Sequence, residues 1–286
     1  MRSFLFSSKK RYKINGFPDM RSMGLGIMLV FLWGLEINAQ HRDVPFVPTP
    51  YETVEEMLKL ANVGPGDYVI DLGSGDGRIV IAAGERGAYG HGVDIDPKRI
   101  NEARQNAAKA GVDDKVMFIE GNLFETDFSK ATVVTMYLLN SVNMRLRPTM
   151  LEKLKPGTRV VSYYFNMSDW EPDKQILINN SDVYYWVIPA KVSGNWNWKN
   201  GDKEFNMKVN QVFQKIKPEL TSGDSSLEIS NPSLEGDKIW FTAENPLDKT
   251  RYVYHGRVNG NNIIGTVQIR NGENSSIETW TASLTR

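Results

Sequence analysis

From Tyr51 to about Ile188, apolar residues follow two alternating spacings, and each change of spacing marks a change of element. Residues 53–61 place Val54, Met57, Leu58 and Ala61 on one face with Glu55 and Glu56 outside, which predicts a helix. Gly64-Pro65-Gly66 is a turn, and residues 67–72 form a short β-rich run. Residues 78–86, 97–110 and 143–154 read as further helices; residues 90–95, 116–120, 132–138 and 158–165 read as strands. The run 132–138 is nearly all apolar, as in a parallel strand covered on both faces. Repeated strand–helix units of this length predict a doubly wound, Rossmann-like α/β sheet. After Pro189 the helical spacing stops, and short strands at 205–209, 238–243, 252–258, 263–269 and 278–284 are separated by turn residues, with Asn259-Gly260-Asn261-Asn262 as a hairpin signal. A small antiparallel β sandwich or barrel is expected there.

The N-terminus has a different pattern. Arg2, Lys9, Lys10, Arg11, Lys13 and Arg21 precede an uncharged run over 24–35, and Ala39 follows it closely. A spanning helix needs ~20 apolar residues, so the shorter run predicts a secretory signal peptide cleaved near Ala39. The alternative is an uncleaved anchor with its N-terminus inside. The expected organisation is therefore 1–39 signal or anchor, 40–192 α/β domain and 193–286 β domain. The protein is expected to be exported or membrane-associated, and cytoplasmic if the signal does not function. The chain has no cysteine, which excludes a disulfide framework and thiolate metal sites. Its 34 basic and 34 acidic residues become 28 and 32 once the first 39 are removed, a net charge of −4 that gives no general attraction to nucleic acid.

The chemistry concentrates at Asp71-Leu72-Gly73-Ser74-Gly75-Asp76-Gly77-Arg78, between the first strand and its helix. Glycines there let backbone approach a ligand, and a helix N-terminus offers free N–H groups. Asp94 ends the next strand 21 positions after Gly73, where an acid accepts hydrogen bonds from ribose hydroxyls. A dinucleotide site calls for Gly-x-Gly-x-x-Gly, but Arg78 stands where the third glycine belongs.

The Asp71, Gly73-x-Gly75-x-Gly77 pattern resembles motif I of class I S-adenosylmethionine-dependent methyltransferases, whose loop wraps the methionyl part of the cofactor. The resemblance implies cofactor contacts from Asp71, Gly73, Ser74, Gly75, Gly77, Asp94 and Ile95. It also implies contacts from Asn122 and Leu123 at the adenine turn, where the family commonly has Asp. Asp96 is expected to cap the helix begun by Pro97. With Phe46-Val-Pro-Thr-Pro50, the Arg159-Val-Val-Ser162 run, Phe165, Trp170 and Pro172, the chain is similar to the mitochondrial lysine methyltransferases of ATP synthase c subunit and adenine nucleotide translocator. Those enzymes do not carry the β-rich extension. The resemblance implies a protein lysine as acceptor, and the charge balance argues against a nucleic-acid partner; proximity to a membrane follows if the N-terminal segment anchors the chain.

Methyl transfer is governed by placement of the acceptor behind the methyl carbon. It needs no metal, and His41, His91 and His255 are scant material for one. Tyr137 and Asn140 at the end of the fourth strand, with Thr49 before the first helix, are the candidate substrate-side groups. For Tyr137 packing or cofactor stacking is an equal alternative. Tyr163, Tyr164, Phe165 and Trp170 are expected in the core or a domain interface, and Trp186, Trp196, Trp198, Trp240 and Trp280 in cores. His91 is expected to be structural and His255 to lie on the surface. The competing readings are an exported binding module that keeps the fold without catalysis, and a small-molecule or RNA methyltransferase.

Overall fold

The computed structural model describes residues 46–285, which belong to one compact unit; the signal-like segment lies outside them. The α/β part runs α1 (Tyr51–Leu60), β1 (Tyr68–Leu72), α2 (Arg78–Glu85), β2 (Tyr89–Asp94), α3 (Pro97–Ala110), β3 (Val116–Glu120), β4 (Val133–Met136), α4 (Asn140–Lys153) and β5 (Arg159–Tyr163). It closes with β6 (Lys174–Ile178) and β7 (Ser181–Val187). The strand order is β3-β2-β1-β4-β5-β7-β6, with β1 to β5 parallel and β6 and β7 antiparallel. Chain order reverses between β1 and β4, so the crevice opens at their C-terminal ends.

Both faces of the sheet are covered. Ile70, Leu72, Val134 and Met136 pack with Leu146 and Met150 of α4, while Val69, Val133 and Val161 pack with Val54, Met57 and Leu58 of α1. This two-sided burial is why β4 carries no alternation in its sequence. Two details differ from the sequence reading. Helix α4 starts at Asn140, three residues early, directly after the turn that leaves β4. The β6–β7 hairpin turns on Asn179 and Asn180, both left-handed (φ 50° and 61°), a two-residue signal that was present in the sequence and not used.

The β-rich part is a closed barrel, not a sandwich. Its strands β8 (Gly194–Asn200), β9 (Lys203–Val212), β10 (Lys215–Ser222), β11 (Ser225–Glu235), β12 (Lys238–Glu244), β13 (Arg251–Asn259), β14 (Asn262–Asn271) and β15 (Asn274–Thr285) each pair with the next, and β15 returns to β8. Closure leaves no edge strand. Trp196, Trp198, Phe205, Phe241, Tyr254 and Trp280 fill the interior, and Trp186 lies in the sheet core. Trp240 departs from the core expectation. Ile239, Phe241 and Ala243 take the inward positions of β12, leaving Trp240 half-buried on the outer face.

Gly256 leaves room for Trp280, since a Cβ there would lie 2.8 Å from the indole, and the opposed Gly265 leaves room for the neighbouring strand, since a Cβ there would lie 1.9 Å from the His255 carbonyl oxygen. Gly265→Ala is therefore expected to destabilise the barrel by about 3 kcal/mol through overpacking, read as a lowered thermal unfolding midpoint.

Candidate active site

The loop leaving β1 is shaped by three left-handed glycines, Gly73 (φ 81°), Gly75 (φ 52°) and Gly77 (φ 84°). The amides of Gly73 and Ser74 both donate to the Val93 carbonyl at 2.9 Å, and Gly77 donates to the Ser74 carbonyl at 2.9 Å while capping α2. Close approach adds to the dihedral requirement, since a Cβ on Gly75 would stand 2.2 Å from the Phe46 ring. Asp94 fixes the loop from the neighbouring strand: Oδ2 accepts from the Gly75 amide at 2.8 Å and Oδ1 from the Asp96 amide at 2.9 Å. Each carboxylate oxygen keeps a further lone pair for a ligand. Asp96 caps α3 through the Lys98 amide at 3.0 Å, with Pro97 at the first helical position.

A narrow cleft of about 90 Å³ lies against this loop. Of the residues singled out in the sequence, Thr49, Asp71, Gly73, Ser74, Asp94, Ile95 and Tyr137 line it. Gly75 and Gly77 shape the loop without lining the cleft. Asn122 and Leu123 lie in the next turn, which the Gly121 amide ties to the Asp94 carbonyl at 3.0 Å. Asn122 Oδ1 accepts from the Phe124 amide and Nδ2 donates to Glu125, each at 3.0 Å, while Leu123 packs against the core; neither is in the cleft wall. Asn140 is also outside the wall, its amide donating to the carbonyl and side-chain oxygens of Asn166 at 3.1 Å.

Asp71 is the electrostatic centre of the cleft. Burial pushes its carboxyl up to about 7; the Thr135 hydroxyl, donating at 2.8 Å, opposes this, and the charges of Asp94 and Asp76 add to it. Ser74 contributes a buried hydroxyl with no hydrogen-bond partner among the described residues. A carboxyl-lined cleft with an unsatisfied hydroxyl and a glycine cradle fits S-adenosylmethionine, whose sulfonium and ammonium are cationic and whose ribose and carboxylate require hydrogen-bond partners.

Phe46, Asp76, Arg78 and Arg99 also line the cleft, though the sequence reading gave none of them a role in the site. Arg78 grips Asp76 through several hydrogen bonds, donates to the Thr49 carbonyl at 2.7 Å and stacks 4.7 Å from the Tyr51 ring centroid. Arg99 lies 4.1 Å over the Phe46 ring. Together they bind the segment ahead of α1 to the cofactor loop. The available signal was an arginine standing where a dinucleotide fold keeps glycine.

Beside the cleft Tyr137 packs 4.6 Å from Tyr163 and 6.3 Å from Phe165, and Tyr164 meets Phe165 edge-on at 5.0 Å. Tyr163 is buried, as expected for a core aromatic. Tyr164 and Phe165 are not core: Tyr164 is 52% exposed with φ 70°, and Phe165 is half-buried. The left-handed backbone at Tyr164 turns that side chain outward. Burial, then the neighbouring Tyr163 and Tyr164, raise the Tyr137 phenol above its ordinary value, so it stays protonated. His91 is buried against the Tyr68 hydroxyl at 3.1 Å and pushed down to about 4 by burial and Lys130, a neutral structural group; His255 is exposed on β13.

Residues 71–174 match the family model described as the ANTKMT methyltransferase domain. A protein-lysine N-methyltransferase of Saccharolobus islandicus is 46% identical over 151 residues, covering 51% of this chain and 94% of that protein. The adenine nucleotide translocase lysine N-methyltransferase of Mus musculus is 32% identical over 178 residues, covering 60% of this chain and 76% of that protein. Among solved structures, an RNA methyltransferase from Salinibacter ruber in complex with S-adenosyl-L-homocysteine is 53% identical, with a TM-score of 0.50 over 51% of this chain and 96% of that one. With the sheet order, the glycine loop and Asp94 in place, these similarities establish that the chain belongs to this family of S-adenosylmethionine-dependent methyltransferases.

Proposed function

We propose that this methyltransferase acts on a lysine amine of a protein, with Asp71, Ser74 and Asp94 holding the cofactor and Tyr137 and Asn140 on the acceptor side. The observation that carries the reading is the aromatic arc of Tyr137, Tyr163, Tyr164 and Phe165, which adjoins the cofactor cleft through Tyr137. Ring faces attract an ammonium. The 46% identity to a protein-lysine enzyme supports the same acceptor.

When bound, S-adenosylmethionine supplies an electrophilic methyl carbon. The chain's residues present the nucleophile. A lysine ammonium with an ordinary pKa near ~10.4 must lose its proton before attack; desolvation in the cleft favours the neutral amine, against the ring-face attraction that first holds the cation. The raised Tyr137 phenol takes no proton at neutral pH, so it orients the amine and water carries the proton away. Asn140 is held by Asn166 through its amide nitrogen, and its Oδ1 is the acceptor it can offer to a substrate donor. The net charge of −4 over residues 40–286 favours protein over RNA as substrate.

Asp94→Ala removes the acceptor that binds the glycine loop, and S-adenosylmethionine affinity by calorimetry is expected to fall at least thirtyfold, whereas Asn122→Ala weakens it only a few-fold. Asp71 sets a pH dependence. A cationic ligand favours ionised Asp71, so affinity is expected to rise about tenfold from pH 6 to pH 8, with Asp71→Asn flat across that range. The folded chain holds this proton to about pH 7 and an unfolded carboxyl releases it near 3.8, so Asp71 costs stability progressively as pH rises between these values. Asp71→Asn retains an acceptor for Thr135 and is expected to be more stable than wild type at pH 8, by up to about 4 kcal/mol, as read by denaturant titration. Labelled methyl from S-adenosylmethionine is expected on poly-L-lysine and not on RNA; the reverse pattern sinks the lysine reading.

A further inference from the structure

Phe213 is the first of the two residues joining β9 to β10. The first centre of a two-residue hairpin is left-handed, a place for glycine, asparagine or aspartate, yet Phe213 holds φ 54° with a large ring. What offsets this local conflict lies outside the barrel. The ring stacks on Trp170 at 5.7 Å and 23°, sits beneath the Arg147 guanidinium at 5.1 Å, and packs against the core of the α/β sheet. Gln214 accepts from the Trp170 indole N–H at 2.9 Å and donates to the Glu171 carbonyl at 2.8 Å, and Lys215 pairs with Glu171. Three consecutive barrel residues thus grip residues 170–171.

Helix α4 holds the same stretch from the other side. Asn140 reaches Asn166, Asn143 donates to the Phe165 carbonyl at 3.1 Å, and Arg147 donates to the Met167 carbonyl at 2.9 Å and pairs with Asp169. Residues 164–171 have no regular structure beyond the single Met167–Trp170 bridge, so these clamps fix their path. The stretch begins with Tyr164 and Phe165, the outer rings of the aromatic arc.

We infer that the barrel is part of the acceptor site: Phe213 and Gln214 are positioning residues that hold the 164–171 stretch so that Tyr164 and Phe165 stand beside Tyr137. The inference rests on the acceptor reading of that arc. The match to the family model ends at residue 174, ahead of this turn, so the brace belongs to this chain's extension.

Phe213→Gly and Gln214→Ala in the full chain test it. Glycine suits the left-handed backbone, so the hairpin keeps its turn while the ring is lost. The expected result is at least a fivefold rise in KM for poly-L-lysine, S-adenosylmethionine affinity within twofold of wild type, and faster amide exchange confined to residues 163–171. Phe213→Tyr restores all three. Unchanged exchange and KM in both variants overturn the inference, as does a parallel loss of cofactor and acceptor binding with barrel-wide exchange, which marks general destabilisation. If wild type binds the cofactor and methylates no lysine, the lysine reading falls, and exchange at 163–171 alone decides whether the barrel orders this stretch.

Discussion

The site depends on one carboxylate accepting two backbone amides. Asp94 takes the N–H of Gly75 with one oxygen and that of Asp96 with the other, which ties the cofactor loop, the end of β2 and the start of α3 together. Charge-assisted bonds to backbone are stronger than neutral ones, and here they act on a loop whose own dihedrals are left-handed at three positions. Without that anchor the glycines that let the backbone curl would also let it fluctuate. The loop is therefore flexible by composition and rigid by position, which is what a pre-organised binding site requires.

The α/β half was largely legible because its signals are local and redundant. Strand β1, the glycine loop and Asp94 lie within about one strand–helix–strand unit, and burial on both faces leaves continuous apolar runs that are hard to misread. The closed barrel was legible only as alternation and turns. Whether eight strands close or fold into two sheets depends on the β15–β8 pairing, a contact between the two ends of the segment that no window records. Trp240 was misassigned for the same reason: hydrophobicity alone does not say which face of a strand is inward, and its neighbours Ile239 and Phe241 settle it. Tyr164 was misassigned because its backbone conformation, not its side chain, directs it outward.

Contacts between distant segments were the other illegible class. Arg78 looked like a missing glycine, and its work is done on Thr49 and Tyr51 nearly thirty positions earlier. Phe213 stands at a left-handed turn position that favours glycine, asparagine or aspartate. Phe213 violates a local preference and its compensating contact lies on another element, whereas Arg78 pairs locally with Asp76 and reaches the distant segment as well. A local rule broken without local gain is in this chain a pointer to tertiary function.

The same logic explains why the cleft retains Asp71. A fully buried carboxyl with its proton affinity raised is a cost to folding, partly offset by the Thr135 hydroxyl. Asparagine would accept the same hydrogen bond without that penalty. What asparagine lacks is charge, and charge matters only if a cation arrives. The residue is thus destabilising in the empty fold and complementary in the loaded one. Asp71 is therefore accounted for by ligand binding rather than by the packing of the sheet. The barrel closes on itself and its interior is filled by its own aromatics, although the Trp280 indole N–H is buried there without a partner among the described residues. The left-handed turn at Phe213 is offset outside the barrel, by stacking on Trp170 and by the Trp170 indole N–H donating to Gln214.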